Sequence, residues 1–265
     1  MPPPPERQKT TIVAISGPSS SGKTTLARLL QRIFSKLTPQ ATNTTTNTNL
    51  RTFIVHEDDF YHPDDKIPLI PHPRDPTTQI QNWDTLSALD IPFLSASLSY
   101  IHAHGHLPPR LRSKEDLNDV AESGVSEEVV SRMREVVRGR VPSYFLEDNT
   151  NSVSGDGVRT IVFLEGFLLF APPKEEDPRH GLRDVQEKMD DHAWLLLPEG
   201  EEGSAQTAWK DADTQELVRL VGQGVNLRLD TGVTVAPGQG KASMTDILEW
   251  AVEEVLKHIA ETEGQ

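Results

Sequence analysis

Apolar positions in this chain fall into short β-branched runs separated by stretches with helical spacing. Thr11-Ile12-Val13-Ala14-Ile15 is the first run and has the composition of a strand buried on both faces. Behind it, Leu26, Leu29, Leu30, Ile33 and Leu37 recur at helical spacing and predict an amphipathic helix. Phe53-Ile54-Val55-His56 predicts a second strand and Thr160-Ile161-Val162-Phe163-Leu164 a third. Ala193-Trp194-Leu195-Leu196-Leu197 and Val225-Asn226-Leu227-Arg228-Leu229 are the fourth and fifth. Helical spacing returns at Leu86 and Leu89. Asp90-Ile91-Pro92 then reads as an N-cap with proline in the first turn of a helix carrying Phe93, Leu94 and Leu98. A further helix is predicted near Glu127–Arg138. Ser243-Met244-Thr245-Asp246 resembles a capping box, opening a last helix with Ile247, Leu248, Ala251, Val255 and Ile259 on one face. Strands alternating with helices predict an α/β fold: three layers, α/β/α, around a mostly parallel sheet with right-handed crossovers.

Polar stretches set the limits of that domain. Residues 1–9 are Pro-rich and polar and read as a disordered lead-in, leaving 10–265 as a single domain. Residues 38–49 are a low-complexity polar loop, 62–76 are Pro-rich and irregular, and about 104–157 reads as a surface insertion ending in a turn-rich linker. Hydrophobic content is 35%, which fits a chain partly given to loops, and 265 residues suffice for a real core.

A formal net charge of -14 argues against nucleic acid or an anionic membrane as a partner. With no cysteine, disulfides and thiolate chemistry are excluded. No apolar run approaches spanning length and the start lacks a signal peptide's apolar region. The expectation is a cytoplasmic protein, or one also nuclear, acting as a monomer or weak homo-oligomer.

The stretch between the first strand and first helix changes the picture most. Gly17-Pro18-Ser19-Ser20-Ser21-Gly22-Lys23-Thr24 satisfies the phosphate-loop pattern G-x-x-x-x-G-K-[ST], and Thr25 follows in the helix. Small residues let successive backbone N–H groups turn around phosphate oxygens, and the helix N-terminus adds partial positive charge. Lys23 can reach the terminal phosphates of ATP, and the Thr24 hydroxyl can ligate Mg²⁺. A chance match on a Gly/Ser turn would not be framed by a strand and a helix.

Other candidates follow strand ends, where ligands gather in open α/β sheets. Asp58 and Asp59 follow the second strand. Either could orient Mg²⁺ or accept a proton, though an acidic turn or helix cap would look alike. Trp83-Asp84 starts the next helical stretch. Asp84 suits a cap or sugar hydroxyls, and Trp83 suits the core or the face of a base. Glu165 closes the third strand ahead of Gly166 and could hold a Mg²⁺-bound water; its apolar flanks argue against a solvated end. His102, His104 and His106 invite a metal reading but have no fixed partners in sequence, and Arg132, Arg134, Arg138 and Arg140 fit a solvated helix face. Gly222-Gln223-Gly224 lacks the remainder of a dinucleotide fingerprint.

The chain resembles nicotinamide riboside kinases, within the uridine-kinase and phosphoribulokinase group. The residues carrying the likeness are Ile15–Ala27, Asp58-Asp59-Phe60-Tyr61, Trp83-Asp84 and Phe163–Phe170. The resemblance implies a phosphate-loop kinase fold and transfer of the ATP γ-phosphate to the 5′-hydroxyl of nicotinamide riboside. It makes Asp58 the proton acceptor and a Mg²⁺ contact, Thr24 a Mg²⁺ ligand and Asp84 the holder of the ribose diol. Tyr61 and Trp83 would flank the base, whose positive charge suits aromatic faces and carboxylates. Other readings are uridine or another nucleoside as acceptor, and a catalytically inactive nucleotide-binding homologue. One departure bears on that choice. Kinases of this group place a further strand and an arginine-bearing lid helix after the Glu-Gly strand. Here Lys188-Met189-Asp190-Asp191 passes directly to Ala193, which predicts that the lid is missing and turnover weakened.

Overall fold

The computed structural model describes residues 10–17, 20–35, 37, 50–72, 74–113, 123–146, 159–171, 177–189, 193–195 and 233–263 of the 265. The first strand, β1 (Thr10–Ser16), leads into α1 (Lys23–Phe34), and β2 (Leu50–His56) follows. Strands β3 (Leu69–His72) and β4 (Asp75–Gln81) form a separate antiparallel hairpin. Next come α2 (Ile91–His104), α3 (Glu127–Arg140), β5 (Arg159–Gly166) and the short α4 (Arg183–Gln186). The chain closes with β6 (Ala193–Leu195), β7 (Val233–Val235) and α5 (Met244–Glu263).

Five strands make one parallel sheet in the order β2-β5-β1-β6-β7. Alternation along the strands divides the core in two. Val13, Ile15, Ile161 and Phe163 point toward α1, α3 and α5, meeting Leu26, Leu30, Val137 and Leu248. Ile12, Ala14, Val162 and Leu164 point to the other face, where α2 and α4 supply Leu94, Leu98, Ile101 and Val185. The three-layer α/β/α expectation therefore holds.

Local signals account for both ends of α2 and the start of α5. Asp90 Oδ1 accepts from the Phe93 amide with Pro92 in the first turn, and Gly105 closes α2. Ser243 and Asp246 form the reciprocal cap that opens α5: each backbone amide donates to the other's side chain, and Ser243 Oγ donates to Asp246 Oδ2 at 2.7 Å. All five positions assigned to that helix's apolar face are buried.

Differences are informative too. The stretch expected to be irregular, 62–76, holds β3 and the start of β4, a hairpin whose strand residues are all exposed or half-buried, so it carries no inside–outside alternation to recognise. Helix α3, within the stretch expected to be a surface insertion, buries Val130, Met133 and Val137 against α1 and α5. Beyond Trp83-Asp84 comes only a 3-10 turn, Leu86–Ala88, preceded by Thr85. The predicted fifth strand at Val225–Leu229 and the loop at 38–49 lie outside the described residues. Among the described residues no helix is long and apolar enough to cross a membrane.

Candidate active site

At the carboxyl edge of the sheet, the loop after β1 turns into α1. Ser20 has φ 64° and Gly22 φ 87°, so the chain takes left-handed conformations just before the helix. Gly22 tolerates this without strain, and a β-carbon there would also strike Met244 Cε at 2.5 Å. Lys23, Thr24 and Thr25 form the first turn of α1, whose leading N–H groups have no intrahelical acceptor. Ser21 Oγ is buried with no hydrogen-bond partner among the described residues, a donor set ready for a phosphate oxygen. Gly17 is buried behind the loop, whereas Ser19 lies outside the described residues.

Lys23 is half-buried, and desolvation holds its ammonium below the ordinary lysine range. Three carboxylates oppose that shift, Glu165 most strongly, then Asp58 and Glu57. They arrive from two strand ends. Glu165 is the penultimate residue of β5, only 4% exposed, and accepts a 2.7 Å hydrogen bond from His56 Nδ1. Asp58 sits on the exposed side of a 3-10 turn, Glu57–Phe60, that leaves β2, and its charge reaches both Lys23 and Tyr61. Asp59 is half-buried on the same turn.

Glu57 is the residue that sequence reasoning passed over. It is fully buried, and its Oε2 accepts from the amides of Phe167 at 2.5 Å and Leu168 at 2.9 Å. Burial nevertheless pushes its carboxyl up to about 7, the two amides and Lys23 pulling the other way. The signal that could have found it is Gly166. A residue without a β-carbon, at the end of a buried strand, marks a close approach by something else.

The acceptor side begins at Tyr61. Its ring meets Trp83 edge-on, with centroids 5.3 Å apart. Burial raises the Tyr61 hydroxyl's pKa, and the charges of Glu57, Asp58 and Asp84 raise it further. Asp84 therefore belongs to the same electrostatic neighbourhood as Asp58. It also lines a cleft of about 310 Å³ with Asn82, Leu168, Phe170 and His180. The charges of Glu165, Asp58 and Glu57 thus act on Lys23, those of Glu57, Asp58 and Asp84 on Tyr61, and Trp83 joins through its ring contact with Tyr61.

The remaining candidates go elsewhere. His102 Nε2 bonds the Lys188 carbonyl, His104 stacks on Tyr100 at 4.0 Å, and His106 Nδ1 bonds the Leu107 carbonyl. On α3, Arg132 pairs with Glu249, Arg140 with Glu253 and Arg138 with Glu135, while Arg134 donates to the Arg32 carbonyl. Arg183 donates to the Asp177 carbonyl and Gln186.

No family model matches the chain. Among curated proteins, the nicotinamide riboside kinase of Eremothecium gossypii is 30% identical over 165 residues, covering 62% of this chain and 54% of that protein. The one from Schizosaccharomyces pombe is 31% identical over 163 residues, 62% of this chain and 55% of that protein. The Saccharomyces cerevisiae protein is 35% identical over 112 residues, 42% and 38% of the two chains. This chain is similar to the nicotinamide riboside kinases over part of their length. It spans about half the length of the curated relatives it matches.

Proposed function

We propose that this chain is an ATP-dependent small-molecule kinase that phosphorylates the 5′-hydroxyl of nicotinamide riboside, giving nicotinamide mononucleotide for NAD synthesis. The observation that carries this reading is the electrostatic continuity from Lys23 through Asp58 to Tyr61 and Asp84. It joins a phosphate loop to an aromatic and acidic wall. The relatives' activity supports the choice of acceptor.

In this reading the loop amides, Ser21 Oγ and Lys23 hold the β- and γ-phosphates. Thr24 and Asp58 would hold Mg²⁺, with Glu165 reaching it through water; the ion neutralises charge on the transferring phosphoryl group. Asp58 accepts the proton of the attacking hydroxyl as its oxygen bonds to the γ-phosphorus and the bond to the bridging oxygen breaks, releasing ADP. Asp84 holds the ribose diol, and Tyr61 and Trp83 offer aromatic faces to the cationic ring.

Turnover in this reading is slow. Arginine contacts to a transferring phosphoryl group contribute ~10³–10⁵ in rate. The arginines of α3 are engaged with Glu135, with α5 and with the Arg32 carbonyl, and Arg183 with its own loop. The same placement favours a second reading, a homologue that binds nucleotide without transferring phosphate. Mg²⁺-ATP-dependent loss of nicotinamide riboside, abolished by Lys23→Ala, supports the kinase. Nucleotide binding with no consumption of that riboside or of uridine supports the second reading and removes the first.

A further inference from the structure

His56 ends β2 directly opposite Glu165 in the parallel ladder, where His56 and Glu165 are register partners. Both side chains are buried, at 0% and 5% exposure, and Nδ1 to Oε1 is 2.7 Å. A carboxylate can only accept, so the ring carries its proton on Nδ1. On its other side Glu165 lies beside Ile15 of β1 in the same row, one residue before the strand gives way to the phosphate loop. Of the carboxylates acting on the Lys23 ammonium, Glu165 acts most strongly. One imidazole therefore fixes the carboxylate closest in effect to the cation that meets phosphate.

A glutamate side chain has three rotatable bonds, and burial alone does not choose its rotamer. A hydrogen bond from a ring that is itself immobilised does choose. Groups behind a metal's ligands act in this way, orienting them at a distance from the reaction. We propose that His56 is a positioning residue: through Nδ1–H it holds Glu165 in the orientation that serves the Mg²⁺ of a bound nucleotide. This rests on the reading of 17–24 as a nucleotide site.

Binding, not turnover, provides the test. The affinity of a fluorescently labelled ATP is measured with and without Mg²⁺ for the unaltered chain and for His56→Leu, His56→Asn and His56→Gln, with melting temperatures alongside. Asparagine places an amide donor near the position of Nδ1, and glutamine near that of Nε2. The expected result is that His56→Leu and His56→Gln lose about 10-fold of the Mg²⁺-dependent gain in affinity. His56→Asn restores most of it, and Mg²⁺-free affinity stays within about twofold throughout. Where His56→Leu does not fold, the asparagine–glutamine comparison decides alone. The proposal is overturned if asparagine and glutamine behave alike, or if affinity falls equally with and without Mg²⁺. It is overturned too if both leave the Mg²⁺ gain intact. An unaltered chain whose ATP affinity ignores Mg²⁺, or that binds no ATP, overturns the nucleotide-site reading itself and the proposal with it.

Discussion

Gly166 lies directly beneath Glu57: a β-carbon at position 166 would come within 2.5 Å of Glu57 Oε2 and 2.6 Å of its β-carbon. Glu57 cannot swing aside, because the same oxygen accepts the Phe167 and Leu168 amides. Gly166→Ala is expected to destabilise the fold by about 1–3 kcal/mol, the usual cost of forcing extra volume into a packed site. Urea unfolding of the two proteins measures it. A change below about 0.5 kcal/mol would show that Glu57 is not held.

Glu57 also gives the fold a pH dependence. Its folded value of about 7 lies above the ordinary 4.5, so below 4.5 both states keep the proton and its full contribution is present. Between 4.5 and 7 the unfolded chain releases the proton and the folded one retains it. Stability from this group therefore falls as pH rises through that window, by on the order of 3 kcal/mol, and is flat above it. Glu57→Gln removes the slope, since an amide stays neutral and its oxygen can still accept from both backbone groups. Unfolding at pH 5 and pH 8 checks this: the variant is expected to gain relative to the unaltered chain at the higher pH.

Lys23→Ala separates binding from folding. A hydrogen bond to a charged group contributes about 1.5–3 kcal/mol, so ATP affinity is expected to fall by about 10–100-fold. The variant's melting temperature should not drop, because Lys23 is a desolvated cation whose charge folding disfavours. Titration calorimetry and a thermal scan read the two effects.

Asp84→Ala should act on the acceptor alone. ATP affinity is expected to stay within about twofold, while riboside binding weakens by about 10-fold or more as the diol loses a charged partner. Equal loss of both ligands would place Asp84 in the frame of the fold instead.

Much of this architecture is legible in the chain. The β1 run, the loop and the apolar spacing of α1 are contiguous, and the Ser243–Asp246 cap is a four-residue signature. Glu57 is not legible, because what buries it is a loop 110 residues further on and the two residues that follow it are both acids. Local pattern made that turn look solvated. The core face of α3 was hidden differently: its charges outnumber its apolar residues, and only Val130, Met133 and Val137 are buried, with Val129 and Val136 half-buried beside them. Such a face becomes decisive only when α1 and α5 are already in place.

His56, Glu165 and Ile15 stand in one row across three parallel strands that are far apart in sequence. Side chains alternate between the faces of a strand, so moving β5 by a single position would send Glu165 to the opposite side of the sheet. The misaligned molecule could still bury its valines and isoleucines on both faces and look well folded by bulk measures. It would lose the carboxylate that acts most strongly on Lys23. Accurate alignment of neighbouring strands is thus a chemical requirement in this protein as much as a mechanical one.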